Sequence, residues 1–304
     1  MSSDLGGEGQ FMDLRGKAAF ITGGASGIGL ALTKRCAAEG MTILLADIEQ
    51  GALLSAAQSL RGEGVKVFTY ILDVGNLDQY REVANSVLSE HGAPHLLINN
   101  AGVAWKAPAS GATPEDWRWM VSVNVLGTGY GISLFVPAMI DSGQQGYVIN
   151  TASITGLITS PGTSAVYSAT KHAVLAVSET LAHELRPHGI HVSVLCPGSV
   201  ATNITEADRN LPAEVERSAI TAAAEEERAF TRSFVSNGIA SDAVADQAFA
   251  ALAERRFYVI THPEYREEIE TRHRQIEAAI EGEPASDVGL LQFAKQMLNL
   301  QPLT

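Results

Sequence analysis

Cysteine is nearly absent: Cys36 and Cys196 are the only two among 304 residues. They form no CxxC pair and no metal-spaced set, which excludes a disulfide scaffold. Two buried free thiols in a reducing, cytoplasmic compartment are expected. Basic residues are also scarce, with 21 Lys and Arg against 34 Asp and Glu and a formal net charge of −13. Without a basic run, nucleic acid is excluded as a partner, because phosphate contacts need clustered cations. Anionic membrane surfaces are excluded on the same ground. No segment has the roughly 18 consecutive apolar residues of a membrane span. The opening Met1–Gln10 has neither a positive flank nor an apolar run, so no signal peptide is expected. His172, His183, His188 and His191 follow no HExxH or other ligand spacing, and no metal site is expected. What remains is an apolar share of 46%, ample for one large core.

The chain alternates from Lys17 onward. Short, mainly apolar segments (Lys17–Thr22, Thr42–Ala46, Val65–Leu72, His95–Asn99, Gly146–Thr151, His191–Leu195, Phe257–Thr261) are separated by helical patterns. Strands without polar alternation imply a parallel sheet covered on both faces. Right-handed crossovers then give an α/β, Rossmann-type doubly wound sheet. Residues 13–284 are read as one domain, after a flexible leader at 1–12 and before a tail at 285–304. The polar, helical stretch at about 201–238 breaks the alternation and is expected to be a lid. Its run Glu225–Glu227 is read as a solvated helix face. Ser241 is a candidate N-cap for the helix that follows.

The first strand ends in Thr22-Gly-Gly-Ala-Ser-Gly-Ile-Gly29. Gly23, Gly27 and Gly29 let the backbone turn tightly and approach a pyrophosphate. Ser26, Ile28 and the helix N-terminus would present N–H groups to it. Asp47 ends the second strand, where a carboxylate accepts hydrogen bonds from an adenosine ribose 2′-hydroxyl and repels a 2′-phosphate. No Lys or Arg lies in the glycine turn or immediately after Asp47. NAD is therefore favoured over NADP. Asp73 and Val74 end the third strand, where the sheet edge would meet the adenine; the same aspartate could instead cap a turn.

Tyr167 and Lys171 are four residues apart, on one face of a helix. A phenol is a poor base at pH 7 unless a nearby cation favours its anion, and the pair suits proton transfer to or from an alcohol. Ser153, just past a strand, could hold the same substrate oxygen. Asn124 puts an amide among apolar helical neighbours and calls for a partner.

With these motifs in this order, joined by Asn99-Asn-Ala-Gly102 and Pro197-Gly198, the chain resembles the short-chain dehydrogenase/reductase family across about residues 14–202. The resemblance implies that Tyr167 is the general acid/base, that Lys171 binds the nicotinamide ribose and lowers the Tyr167 pKa, and that Ser153 orients the substrate oxygen. It implies that Asn124 holds a water in a proton relay toward Lys171. Asn99, Asn100, Ala101 and Gly102 would line the adenosine side and support the central strand. Pro197, Gly198, Val200 and Thr202 would border the carboxamide. The interval from Ser153 to Tyr167 is one residue longer than the family's, so a bulged loop is expected between them.

A narrower likeness lies in Val192–Ile204, the acidic insert and Tyr258-Val-Ile-Thr-His-Pro-Glu264. These resemble a longer subgroup that includes the Cα-dehydrogenases of lignin aryl ethers, which implies a bulky hydrophobic or aromatic secondary alcohol as the small-molecule substrate. Trp105, Ile154, Leu157 and Pro161 are candidate pocket residues, whereas Trp117 and Trp119 suggest packing. Two alternatives stand beside an NAD-dependent alcohol dehydrogenase: an NADPH-dependent 3-oxoacyl reductase, and a non-enzymatic NAD-sensing protein on the same fold. Asp47 argues against the first and the complete Asn124, Ser153, Tyr167, Lys171 set against the second. The resemblance also implies a homodimer or homotetramer through the helices near 117–140 and 167–186.

Overall fold

The computed structural model describes residues 13–105, 109–159, 165–211, 229 and 231–280. The expected leader, the tail at 285–304, Pro161, Glu225–Glu227 and, of the expected lid, residues 212–228 and 230 lie outside them. The strands are β1 (Ala18–Thr22), β2 (Thr42–Asp47), β3 (Val67–Ile71), β4 (Leu96–Asn99), β5 (Gly146–Thr151), β6 (Ile190–Cys196) and β7 (Tyr258–Ile260). All pair in parallel in one sheet of order β3-β2-β1-β4-β5-β6-β7.

The central strands β1, β2, β4, β5 and β6 are apolar because both their faces are covered. Ile21, Ile43, Leu45 and Ile98 face one layer, made by α1 (Gly27–Ala38), α2 (Gln50–Gly62) and α7 (Ser241–Ala253). Phe20, Leu44, Leu97 and Val148 face the other, made by α3 (Leu77–His91), α5 (Gly127–Asp141) and α6 (Ala165–Leu185). Helix α8 (Arg266–Ala278) closes the described chain. Both cysteines are buried free thiols within these layers. Ser241 is the first helical residue of α7 and not its cap; its hydroxyl donates to the Ala201 carbonyl at 3.3 Å.

Helix α4 (Pro114–Met120) starts at a capping box between Thr113 and Asp116 and runs through a π-helical turn, Val121–Leu126, into α5. By length and composition Pro114–Asp141 is apolar enough to cross a membrane. Here it is a core helix, with Gly131, Phe135, Val136 and Met139 buried in the domain.

The chain leaves β1 toward β2 on one side and enters β4 on the other. A crevice must open beyond the C-terminal ends of β1 and β4, where the order reverses.

Candidate active site

A cleft of about 600 Å³ fills that crevice. Its floor is the turn from β1 to α1. Gly23 and Gly27 have φ of 60° and 51°, a left-handed backbone that favours glycine. At Gly29 the reason is contact: a Cβ there would lie 1.9 Å from the Gly23 carbonyl oxygen. Ser26 is the extended N-cap residue of α1, so the first N–H groups of the helix stay free beside Ile28. Asn100 locks the turn to β4, donating from Nδ2 to the Thr22 and Gly23 carbonyls at 3.2 Å each. Ala101 packs on Gly23, and Thr202 packs on Gly27 from the opposite wall.

Asp47 lines one end of the cleft and is buried. Its Oδ2 accepts from the Ala25 N–H and its Oδ1 from the Glu49 N–H, both at 3.0 Å. Burial pushes this carboxyl above the ordinary carboxylate range, and those two donors oppose the shift. The carboxylate thus lines the cleft and also holds the glycine turn. Asp73 likewise both lines the cleft and caps a turn, its Oδ1 accepting from the Gly75 N–H at 2.9 Å, with Val74 beside it.

Sequence reasoning missed Arg209. It lies 160 residues from Glu49, yet its Nε donates to Glu49 Oε1 at 2.8 Å, and Asn210 Nδ2 reaches the same oxygen at 3.1 Å. Glu49, Arg209 and Asn210 all line the cleft near Asp47. Arg209 and its hydrogen bonds hold the Glu49 carboxyl below its usual value. Nothing local to Asp47 could have signalled this cation, because only the fold of the chain after β6 delivers it.

The other end of the cleft holds Ser153, Tyr167 and Lys171. Burial pushes the Tyr167 phenol above its ordinary value, and its hydrogen bond to Ser153, which favours the phenolate, opposes that shift. Lys171 Nζ lies 5.6 Å from the centre of the Tyr167 ring and donates to the Thr151 carbonyl at 2.8 Å. Burial pulls its ammonium down to about 8. The unfolded chain therefore holds this proton up to the ordinary value of 10.5, while the folded chain releases it near 8. Folding stability gains from this residue as pH rises across that window. The stability of the natural chain minus that of Lys171→Met is expected to increase between about pH 8 and 10.5, read by chemical denaturation. A flat difference would remove the burial effect.

Asn124 does not line the cleft but sits behind it, fully buried in the π-helical turn. Its Oδ1 accepts from the Val103 N–H at 2.8 Å, and its Nδ2 donates to the Val103 carbonyl and to Thr170 Oγ1 at 2.9 and 3.0 Å. A Cβ on Gly102 would lie 3.2 Å from that Oδ1 and 3.4 Å from Lys171 Nζ, so Asn124 and Lys171 meet across a glycine. Asn99, by contrast, faces away from the cleft and donates to Asn150 Oδ1 at 2.9 Å. It supports the central strands and lines nothing. Pro197, Gly198 and Val200 form the wall beyond β6.

The apolar wall differs from expectation. Trp105 is buried with Trp119, Met120, Val166 and Ala207, and Tyr167 packs against this cluster. Trp119, assigned above to packing, lines the cleft with Val103 and Ala207, whereas Trp105, Ile154 and Leu157 do not. Leu157 packs on the α3–α5–α6 layer instead. Trp117 is 40% exposed on the outside of the helix.

A glycine turn that a single Cβ would fill, a carboxylate at one end and a Ser–Tyr–Lys set at the other define a dinucleotide-dependent oxidoreductase. Residues 17–212 match the family model described as short chain dehydrogenase. The chain belongs to the short-chain dehydrogenase/reductase family. It is 31% identical over 275 residues to the CLA biosynthesis dehydrogenase/reductase of Lactiplantibacillus plantarum, covering 87% of this chain and 94% of that one. It is 34% identical over 265 residues to a C alpha-dehydrogenase of Sphingobium sp. SYK-6, covering 87% and 86%. Among solved structures, a short chain dehydrogenase/reductase from Burkholderia phymatum in complex with NAD superposes with a TM-score of 0.85 at 36% identity, covering 90% of this chain and 99% of that one.

Proposed function

We propose that the protein is an NAD-dependent dehydrogenase interconverting a bulky hydrophobic or aromatic secondary alcohol and its ketone. The observation that carries the reading is the pairing of two ends in one cleft: the Asp47 carboxylate at one, Ser153, Tyr167 and Lys171 at the other. The glycine turn and the free N–H groups of α1 would hold a pyrophosphate, Asp47 the adenosine ribose, and Lys171 the second ribose. The dinucleotide, when bound, accepts or returns a hydride.

The residues of the chain then divide the proton work. Ser153, held by the Thr155 N–H at 3.2 Å, keeps the substrate oxygen in place through the reaction. Tyr167 Oη takes the hydroxyl proton during oxidation and returns it during reduction. The Lys171 ammonium stabilises the phenolate, and we place a relay water where Asn124 and Lys171 meet. The Trp119, Val103 and Ala207 wall continues the cluster against which Tyr167 packs, which favours an apolar substrate. The C alpha-dehydrogenase relative supports the same substrate class. We further propose a homo-oligomeric assembly.

Absorbance at 340 nm with NAD⁺ and NADP⁺ tests this reading, comparing aryl secondary alcohols with small aliphatic alcohols, sugar alcohols, sterols and 3-hydroxyacyl thioesters. NAD⁺-dependent turnover of the aryl alcohols is the expected result. Turnover of another class alone would overturn the substrate assignment, and turnover with NADP⁺ alone the Asp47 argument.

A further inference from the structure

The segment Thr261-His262 follows β7, outside the residues matched by the family model, yet it reaches into the wall of the cleft. His262 is 6% exposed, and its ring lies flat on Gly198: a Cβ there would stand 2.7 Å from His262 Cγ. The Gly198 N–H, which can only donate, points at Nδ1 from 3.1 Å. The Thr261 hydroxyl lies 2.7 Å from the same nitrogen. Nδ1 is therefore the acceptor and the ring proton sits on Nε2, 3.0 Å from the Ser199 carbonyl oxygen, to which it donates. One neutral imidazole thus joins the N–H of Gly198 to the carbonyl of Ser199.

The turn it holds bears on both sides of the reaction. Pro197 and Gly198 line the cleft. The Pro197 carbonyl accepts from Ser153 Oγ at 3.4 Å and from the Ile154 N–H at 2.8 Å. The register Cys196↔Ile260 between β6 and β7 brings the two segments level.

We propose that His262 is a positioning residue, a clamp from the segment after β7 that sets the Pro197–Ser199 turn and through it the cofactor wall and Ser153. The importance of the turn for the cofactor rests on the function proposed above; the clamp itself does not. Losing the ring leaves the half-buried Gly198 N–H and one side of the Ser199 carbonyl without partners, a cost that the turn relieves by moving.

Three variants separate the roles of the two ring nitrogens. His262→Ala removes both, His262→Asn can restore the acceptor at Nδ1, and His262→Gln can restore the donor at Nε2. In the full chain without cofactor, amide exchange at Gly198 is expected to quicken about tenfold or more in the Ala and Gln variants and to stay near the natural rate in His262→Asn. NADH affinity, read by fluorescence, is expected to fall about tenfold in the Ala and Gln variants and less than about threefold in His262→Asn. Gly198→Ala, which keeps His262 but drives a methyl into its ring, is expected to reproduce the loss. Unchanged exchange in His262→Ala, or no rescue by asparagine over alanine, would overturn the clamp. Exchange that follows the pattern in a protein that binds no NADH would support the clamp and overturn the cofactor reading.

Discussion

Tyr167→Phe is expected to lower kcat about 10³-fold, within the range that a positioned acid/base supplies, while NADH affinity changes less than about threefold. The variant removes one oxygen and leaves the ring packed against the Trp119 and Val166 cluster. Affinity should survive because the glycine turn, Asp47 and Lys171 stay in place. Steady-state kinetics and NADH fluorescence titration separate the two quantities. Residual turnover above about a tenth of the natural rate would take the proton transfer away from Tyr167.

Asp47→Ala is expected to raise KM for NAD⁺ about 10–100-fold and to bring kcat/KM for NADP⁺ within about tenfold of that for NAD⁺, since a hydrogen-bonded charge is lost. The same substitution strips the Ala25 and Glu49 N–H groups of their acceptor, so a stability loss of about 1–3 kcal/mol should accompany it. The ratio of the two cofactors is the informative measurement, because destabilisation lowers both alike. Arg209 sharpens the test. Its cation is engaged by Glu49, and Asp47→Ala combined with Glu49→Gln would release it toward a 2′-phosphate. The double variant is expected to prefer NADP⁺ more than the single one. An unchanged ratio in both would remove Asp47 and Arg209 from cofactor choice.

Much of the site was legible because short-range chemistry specifies it. Glycines at 23, 27 and 29 are required by positive φ or by a backbone approach too close for any Cβ, and such needs leave their mark in residue type. Tyr167 and Lys171 lie one turn apart on α6 and cannot help but share a face. Strands buried on both faces show as unbroken apolar runs, which is why the parallel sheet could be read along the chain. Element ends were less legible. Ser241 looked like a cap, yet α7 begins on it, because a cap is decided by backbone angles and not by side-chain type alone.

The residues that escaped are those whose partners are distant in the chain. Trp105 and Trp119 differ in role because the loop after β4 turns the first into the cluster and α4 turns the second toward the cleft; both are simply aromatic in sequence. Asn124 reads as a buried amide, but its partners, Val103 and Thr170, are assigned by the packing of a π-helical turn on α6. Arg209 carries no local signal and His262 none beyond its place in the run Tyr258–Glu264, and each acts across a gap that only the order of strands closes. The sequence alone therefore determined the sheet, the glycine turn and the Tyr–Lys pair, since steric fit and helical periodicity act over a few residues. Tertiary structure alone decided which cation meets Glu49, which tryptophan walls the cleft and which histidine holds Gly198, since a hydrogen bond or ion pair forms only between groups that the whole fold brings within about 3 Å.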